Sequence, residues 1–279
     1  MPEGDTVHVT GKRLDAALAG YRLLRGELRH PRLVEHDLAG LTVTGVASVG
    51  KHLFTRFDDG RSLHSHLRMD GAWHLYRPGD RWRRVAHEAR AVLETSERIA
   101  VGFALHDLEL LPTGDEDRLV GHLGPDLLDP GWGDEHAAEA LRRLSARGDH
   151  ELGLALLEQR VMAGVGNLYR NDVCFLLGLT PWVLVRDTPD LPGVIALCRR
   201  LLLSNADRPE QTTTGSPARG EAHWVFGRGG RPCRRCGTRI QVADQGKAPY
   251  ARVTYWCPRC QAGPAPRPRR PARGGAVRR

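Results

Sequence analysis

Residues 41–76, LTVTGVASVGKHLFTRFDDGRSLHSHLRMDGAWHLY, decide the fold of the first half of this chain. Short segments rich in Val, Leu, Phe and Thr, at 41–49, 52–57, 62–67 and 72–76, alternate there with Gly and Asp turns. β-Branched and aromatic side chains suit a pleated, half-buried surface, so runs of this length and spacing read as a sandwich or barrel. Working outward, a similar segment at 21–29 precedes them, and others at 89–94, 99–104 and 107–111 follow. Over 5–18 the apolar positions Val9, Leu14, Ala17 and Leu18 are separated by charges and followed by Gly20, which predicts an amphipathic helix ended by glycine. The expectation for 1–111 is a β-sandwich with a leading helix.

The texture changes at 112–133, where PTGDEDR and GPDLLDPGWGD read as a linker into a second domain. Residues 134–146, 151–163, 167–177 and 191–206 carry apolar positions three and four apart, predicting a helical core for a domain over 134–222. The polar stretch 207–222, DRPEQTTTGSPARGEA, reads as a mobile loop, and the Pro/Arg/Gly-rich residues 263–279 as a disordered basic tail. At 279 residues the chain can bury two cores, and the fold class is α+β.

Four of the six cysteines pair off as Cys233-x-x-Cys236 and Cys257-x-x-Cys260, with 20 residues between the pairs. Such spacing lets four thiolates converge on one zinc ion, and the run ARVTYWCPRC has the alternation of a hairpin strand, so 223–262 is expected to be a β-hairpin zinc finger. With sulfur at all four positions no place is open to water, and the metal is structural. A redox dithiol is the alternative, although one pair would suffice for it. Cys174 and Cys198 lie in apolar helical patterns and read as packing residues.

The net charge of +8 is segregated: residues 1–214 hold 26 Lys/Arg against 31 Asp/Glu, and residues 215–279 hold 15 against 2. A basic segment of domain size points to a polyanion, whose phosphates release counterions when neutralised. No apolar run approaches the roughly 20 residues needed to span a bilayer, and MPEGDTVHVT lacks the plan of a secretion signal. The expectation is a soluble, cytoplasmic, monomeric protein with a nucleic-acid partner and no membrane partner.

Chemistry enters at the N-terminus. Removal of Met1 would leave Pro2 as a secondary amine. An α-amino group has a reference pKa of about 7.7 to 8.0 against about 10.4 for lysine, so near neutral pH it is far more often unprotonated. Attack on a sugar C1′ yields an iminium, an electron sink that acidifies the C2′ hydrogen and permits strand cleavage by elimination. Glu3 can supply a proton if burial lifts its pKa, and Gly4 lets the backbone bend before the helix.

PEGDTV at the start, GKHLF at 50–54, HLRMDG at 66–71, GPDLL at 124–128, QRVMAGVGNLYRND at 159–172 and YWCPRC at 255–260 together resemble the formamidopyrimidine-DNA glycosylase/endonuclease VIII family. The resemblance runs from Pro2 to about Gln261 and implies a β-sandwich joined to a helical domain with a helix-two-turn-helix motif and a zinc finger, with damaged DNA between them. It also implies Pro2 as Schiff-base nucleophile, Glu3 as acid, and Lys51 beside the lesion phosphate. Gly164 and Gly166 permit a tight turn that places Asn167 to cap the next helix, an anion site resembling the family's phosphate-gripping turn. Arg252 matches the zinc-finger arginine, whose planar fork suits phosphate. Met69 occupies the position of the wedge that fills the gap left by an extruded nucleotide; a core methionine on a strand is its alternative.

Departures from the family pattern refine the expectation. Asp5 and Thr6 replace the usual second carboxylate context, VGFALHDL lacks an arginine-phenylalanine wedge, and His122 stands where a stronger cation precedes L-G-P-D. These features resemble the endonuclease VIII-like branch and imply oxidised pyrimidines as substrates, with β,δ-elimination. A non-catalytic DNA-binding member of the same scaffold and a zinc-ribbon partner of transcription or translation machinery are the competing expectations; Pro2, Glu3 and Lys51 together argue against the first, and the second leaves the N-terminal sandwich unexplained.

Overall fold

The computed structural model describes residues 2–208, 210–216, 218 and 220–266. Met1, expected to be removed, and residues 267–279 of the tail expected to be disordered over 263–279 lie outside them, whereas the start of that tail is held, the Thr180 hydroxyl donating to the Pro264 carbonyl at 2.5 Å. The chain divides into two compact units, Met1–Pro130 with Ala206–Pro209, and Gly131–Asn205 with the chain from Glu210 onward. Among the described residues no helix is long and apolar enough to cross a membrane.

The first unit opens with α1 (Gly4–Leu18), followed by β1 (Arg25–Leu28), β2 (Val43–Val49), β3 (His52–Phe57), β4 (Arg61–His66), β5 (Ala72–Tyr76), β6 (Ala89–Glu94), β7 (Ile99–Phe103), β8 (Asp107–Pro112) and the single turn α2 (Asp117–Val120). They form two antiparallel four-stranded sheets, ordered β1-β6-β7-β5 and β2-β3-β4-β8. Leu28 and Leu93 from one sheet and Leu53 and Leu63 from the other share a single core with Val7, Leu14 and Leu18 of α1. Burying each such side chain contributes about 1.5–3 kcal/mol, so leucines brought together from both sheets and the helix hold the sandwich closed.

Residues 112–130, expected as a linker, are built into this unit. Glu116 accepts hydrogen bonds from Arg56 (2.9 and 2.7 Å) and from Ser62 (2.6 Å). Asp126 reaches back to the β2–β3 turn. Pro, Gly and Asp mark turns, and turns anchored by their own carboxylates need not be linkers.

The second unit contains α3 (Asp134–Ser145), the single turn α4 (Leu152–Ala155), α5 (Asn167–Leu176), α6 (Leu191–Asn205) and the antiparallel hairpin of β9 (Gln241–Gln245) and β10 (Arg252–Trp256). The helix expected over 151–163 stops after its first turn. Gln159 is responsible: its Nε2 donates to the carbonyls of Leu157 (3.0 Å) and Val165 (2.9 Å), and its Oε1 accepts the Gly164 N–H (3.0 Å). A side chain thus satisfies backbone groups that helix would otherwise pair.

Residues 207–222 were expected as a mobile loop, yet Thr212 and Thr213 are buried. Asn205 donates to the Thr212 carbonyl (2.9 Å) and accepts its N–H (2.8 Å), while the Thr213 hydroxyl donates to Asp172. Threonine hydroxyls and one amide here do the work that apolar packing does elsewhere.

Candidate active site and nucleic-acid contacts

In the first unit, Glu3 has the extended backbone of an N-cap (φ −115°, ψ −176°), and its carbonyl accepts the Val7 N–H at 3.0 Å. The turn into α1 therefore falls at Glu3, and Gly4 is already helical rather than the hinge expected of it. Glu3 is 1% exposed, as is Asp5. Two carboxyl side chains thus lie buried within three residues of Pro2.

Lys51 sits in a two-residue turn, since Val49 pairs with His52 across β2 and β3. Gly50 adopts φ +58°, a conformation costly for other residues, so glycine is required for the turn that presents Lys51. Asp126, the acid of GPDLL, fixes that turn: its Oδ2 accepts the Gly50 N–H (2.7 Å) and its Oδ1 the Leu128 N–H (3.0 Å). Burial pushes the Asp126 carboxyl above its ordinary pKa despite these two donors. Asp126 thereby braces the turn that carries Lys51, a role that the string GPDLL does not reveal by itself.

Met69 is 66% exposed on the turn after β4, which excludes the core-methionine alternative. Arg68 beside it has φ +51° and donates its N–H to His66 Nδ1 (3.1 Å), and its side chain pairs with Asp107. Asp70 meets His106 at 3.3 Å, so the turn carrying Met69 is braced against the β7–β8 loop, where no arginine-phenylalanine wedge stands.

His122 is exposed and lines a cavity of about 650 Å³ with His52, His64, His66, His106 and Arg68. His52 Nδ1 and His64 Nε2 lie 2.9 Å apart, and His66 stands directly opposite His52 in the β3–β4 register. Burial lowers His52 to about 3, with His64, His66, His122 and Arg68 adding to the effect. Burial likewise lowers His64 to about 4, with Asp107 and Glu116 opposing, and His66 to about 4, with Arg68 assisting. These rings are neutral near pH 7, and none of them was singled out from the sequence.

In the second unit, Gly166, not Asn167, is the N-cap of α5. Asn167 is its first helical residue, and its Nδ2 donates to the Val253 carbonyl (3.0 Å), so the amide joins the neighbour of Arg252 instead of capping its own helix. Arg252 opens β10 with an exposed side chain that donates to the Tyr250 carbonyl at 3.1 Å. Asn167 and Arg252 are thereby brought to adjoining segments. Asp172 accepts the N–H groups of Trp224 (2.9 Å), Val225 (2.9 Å) and Phe226 (3.0 Å), and Asn171 accepts that of Tyr255 (2.7 Å). Asn167, Asn171 and Asp172 of the NLYRND string are thus committed to the segments around the cysteines.

The donor sulfurs of Cys233, Cys236, Cys257 and Cys260 all lie within 4.8 Å of one another, with Cys233–Cys260 at 3.9 Å and Cys236–Cys257 at 3.5 Å. Tetrahedral zinc with bonds of about 2.3 Å requires sulfurs about 3.8 Å apart, so the quartet fits that ion. Cys174 and Cys198 are buried, and burial pushes the Cys174 thiol up to about 12, as expected of packing residues.

Comparisons with known proteins agree with this geometry. Residues 1–107 match the family described as the formamidopyrimidine-DNA glycosylase N-terminal domain. The chain is 52% identical over 271 residues to the probable endonuclease 8 2 of Streptomyces coelicolor, covering 96% of each chain. It is 46% identical over 261 residues to the DNA-(apurinic or apyrimidinic site) lyase Nei2 of Mycolicibacterium smegmatis, covering 94% of this chain and 99% of that one. Its fold matches that of the Lactococcus lactis formamidopyrimidine-DNA glycosylase solved with DNA containing an abasic site, with a TM-score of 0.75 and 23% identity over 94% of this chain and 100% of that one. The chain belongs to the formamidopyrimidine-DNA glycosylase/endonuclease VIII family, on its endonuclease 8-like branch.

Proposed function

We propose that this protein is a bifunctional DNA glycosylase and abasic-site lyase of base excision repair, excising oxidised bases, chiefly pyrimidines. The observation that carries the proposal is Pro2 followed by a buried Glu3 at the head of α1, in a chain similar to endonuclease 8 proteins over 96% of its length. The Pro2 nitrogen attacks C1′ of the damaged nucleotide, the base departs with the glycosidic electron pair and a proton, and Glu3 protonates the sugar ring oxygen as the ring opens to the iminium. Loss of a C2′ proton then expels the 3′ phosphate, a second elimination expels the 5′ phosphate, and water releases Pro2. Lys51, on its Asp126-anchored turn, holds the lesion phosphate and assists elimination. Asn167 and Arg252 grip neighbouring phosphates, His122 adds a weaker contact, and exposed Met69 fills the space vacated by the flipped nucleotide. One zinc ion bound by Cys233, Cys236, Cys257 and Cys260 supports the hairpin that bears Arg252 and takes no part in bond breaking.

Borohydride trapping on oligonucleotides containing thymine glycol, dihydrouracil, 8-oxoguanine or an abasic site tests this directly, because it captures the iminium and reports the substrate together. The expected result is a covalent adduct with the oxidised pyrimidines and the abasic site, lost when a tag precedes Pro2. Absence of any adduct from an enzyme that still excises bases would refute the role of Pro2. Preferred trapping on 8-oxoguanine paired with cytosine would overturn the pyrimidine assignment.

A further inference from the structure

We infer that Arg170 is a positioning residue whose buried guanidinium ties Asn167 of α5 to both strands of the cysteine hairpin and so fixes where Arg252 stands. This deepens the proposed function, since it rests on Asn167 and Arg252 acting on phosphates. Arg170 is 0% exposed. Its Nε donates to Asn167 Oδ1 at 2.8 Å, which leaves the Asn167 Nδ2 facing the Val253 carbonyl at 3.0 Å. Its Nη2 donates to the Thr254 hydroxyl at 2.5 Å, and that hydroxyl donates onward to the Arg252 carbonyl at 3.0 Å. Its Nη1 donates to Gln245 Oε1, and Gln245 is the direct cross-strand partner of Arg252. Arg252 is thus held along its own strand through Thr254 and across the hairpin through Gln245.

The surroundings are shaped for this fork. Gln245 Nε2 donates to Glu151 Oε2 and to the Pro181 carbonyl, both at 2.8 Å, which carries the network to a carboxylate. At Gly153 a Cβ would stand 2.6 Å from Gln245 Oε1 and 3.0 Å from Arg170 Nη1, so the absence of a side chain there makes room for the pair. Burying a cation is costly and replacing one by an apolar residue often stabilises a fold, so packing alone does not account for arginine at this position. What an apolar side chain cannot do is orient three polar partners at once, and lysine lacks the planar fork that does so.

The test uses the full chain and a duplex containing an uncleavable tetrahydrofuran abasic analogue, with Kd measured across a series of KCl concentrations. Arg252→Ala should lower the slope of log affinity against log salt by about 0.9, the value for one duplex phosphate contact. Arg170→Met should lower it by a similar amount and weaken binding about tenfold, although this side chain is sealed from solvent and cannot touch DNA; tenfold is the lower end of the loss usual when a supporting partner is removed. Arg170→Lys, which keeps the charge without the fork, should behave like Arg170→Met, and the Arg170→Met/Arg252→Ala double variant should lose little beyond either single one. Thr254→Val removes only the relay to the Arg252 carbonyl and should shift the slope in the same direction, giving a second route to the answer if Arg170→Met does not fold. A slope unchanged in Arg170→Met and Thr254→Val while Arg252→Ala lowers it would overturn the inference and leave Arg170 a structural residue. An unchanged slope in Arg252→Ala together with an unchanged Kd in Asn167→Ala would instead refute the phosphate roles on which it rests.

Discussion

Acidification should destabilise the first unit through the histidine face of β3 and β4. His64 is 5% exposed, His52 and His66 are partly buried, and their folded pKa values are lowered from 6.5 to about 4, 3 and 4 respectively. Between those values and 6.5 the unfolded chain carries protons on these rings that the folded chain does not, so stability rises with pH. The stabilisation is fully present above pH 6.5 and is lost as pH falls toward 4. Each ring that behaves this way contributes a slope of about 1.4 kcal/mol per pH unit. One such ring removes about 1.2 kcal/mol between pH 6 and 5, and all three remove about 3.5 kcal/mol, a large share of the roughly 5–15 kcal/mol available to a domain. Arg68, Lys51 and His122 reinforce the effect on these rings, while Asp107 and Glu116 oppose it. Asp126 has the opposite sign, because its raised pKa stabilises the fold at low pH and that contribution disappears as pH rises through the folded value. Urea unfolding at pH 7, 6 and 5 and constant ionic strength, followed by the fluorescence of a single tryptophan retained at Trp73 in this unit, measures the slope. His64→Gln should flatten it by about 1.4 kcal/mol per pH unit. An equally steep dependence in that variant, or stability that does not change from pH 7 to 5, would refute the reasoning.

Four further outcomes are expected. Glu3→Gln should slow base excision by about 100-fold or more, the usual contribution of a positioned acid, while cleavage at a preformed abasic site survives better; comparing the two substrates in single-turnover assays checks this. Asp126→Ala should orphan the Gly50 N–H, cost about 1–3 kcal/mol of stability and reduce lyase activity by displacing Lys51, whereas Lys51→Ala should reduce lyase activity without the loss of stability seen in a melt. Asp172→Ala should destabilise the second unit by several kcal/mol, because three backbone N–H groups lose their common acceptor, and Trp224 fluorescence should report the earlier transition. Chelating zinc, or Cys236→Ser, should unfold the hairpin and abolish DNA binding while the strands of the first unit keep their circular dichroism.

The sandwich was legible because its information is local: short runs of β-branched, aromatic and leucine side chains are cut by Gly and Asp turns, and the turn between Val49 and His52 needs the glycine that stands there. The cysteine quartet was legible for a similar reason, since metal geometry constrains spacing. The helix over 151–163 was misread because Leu152, Ala155 and Leu156 have helical spacing, whereas the Gln159 side chain that engages the Leu157 and Val165 carbonyls acts through tertiary geometry that periodicity does not express. Asn167 was misassigned as a cap for a related reason: Gly166 occupies that position and the amide is engaged by Val253.

The string NLYRND shows what kind of signal remained available. Asn167, Arg170, Asn171 and Asp172 are all buried, on a helix whose apolar residues Leu168, Tyr169, Val173 and Phe175 are buried as well. A helix apolar on one face ordinarily turns its polar residues to water, and a helix with neither face exposed must find protein partners for every polar group it carries. The four polar residues fall within a helix of 10 residues, too close together for the other face of an exposed amphipathic helix to explain their burial. Their partners come from the residues flanking the cysteines, so α5 and the hairpin specify each other: the cysteines close the hairpin, and the buried amides, carboxylate and guanidinium of α5 decide where its strand carrying Arg252 is held.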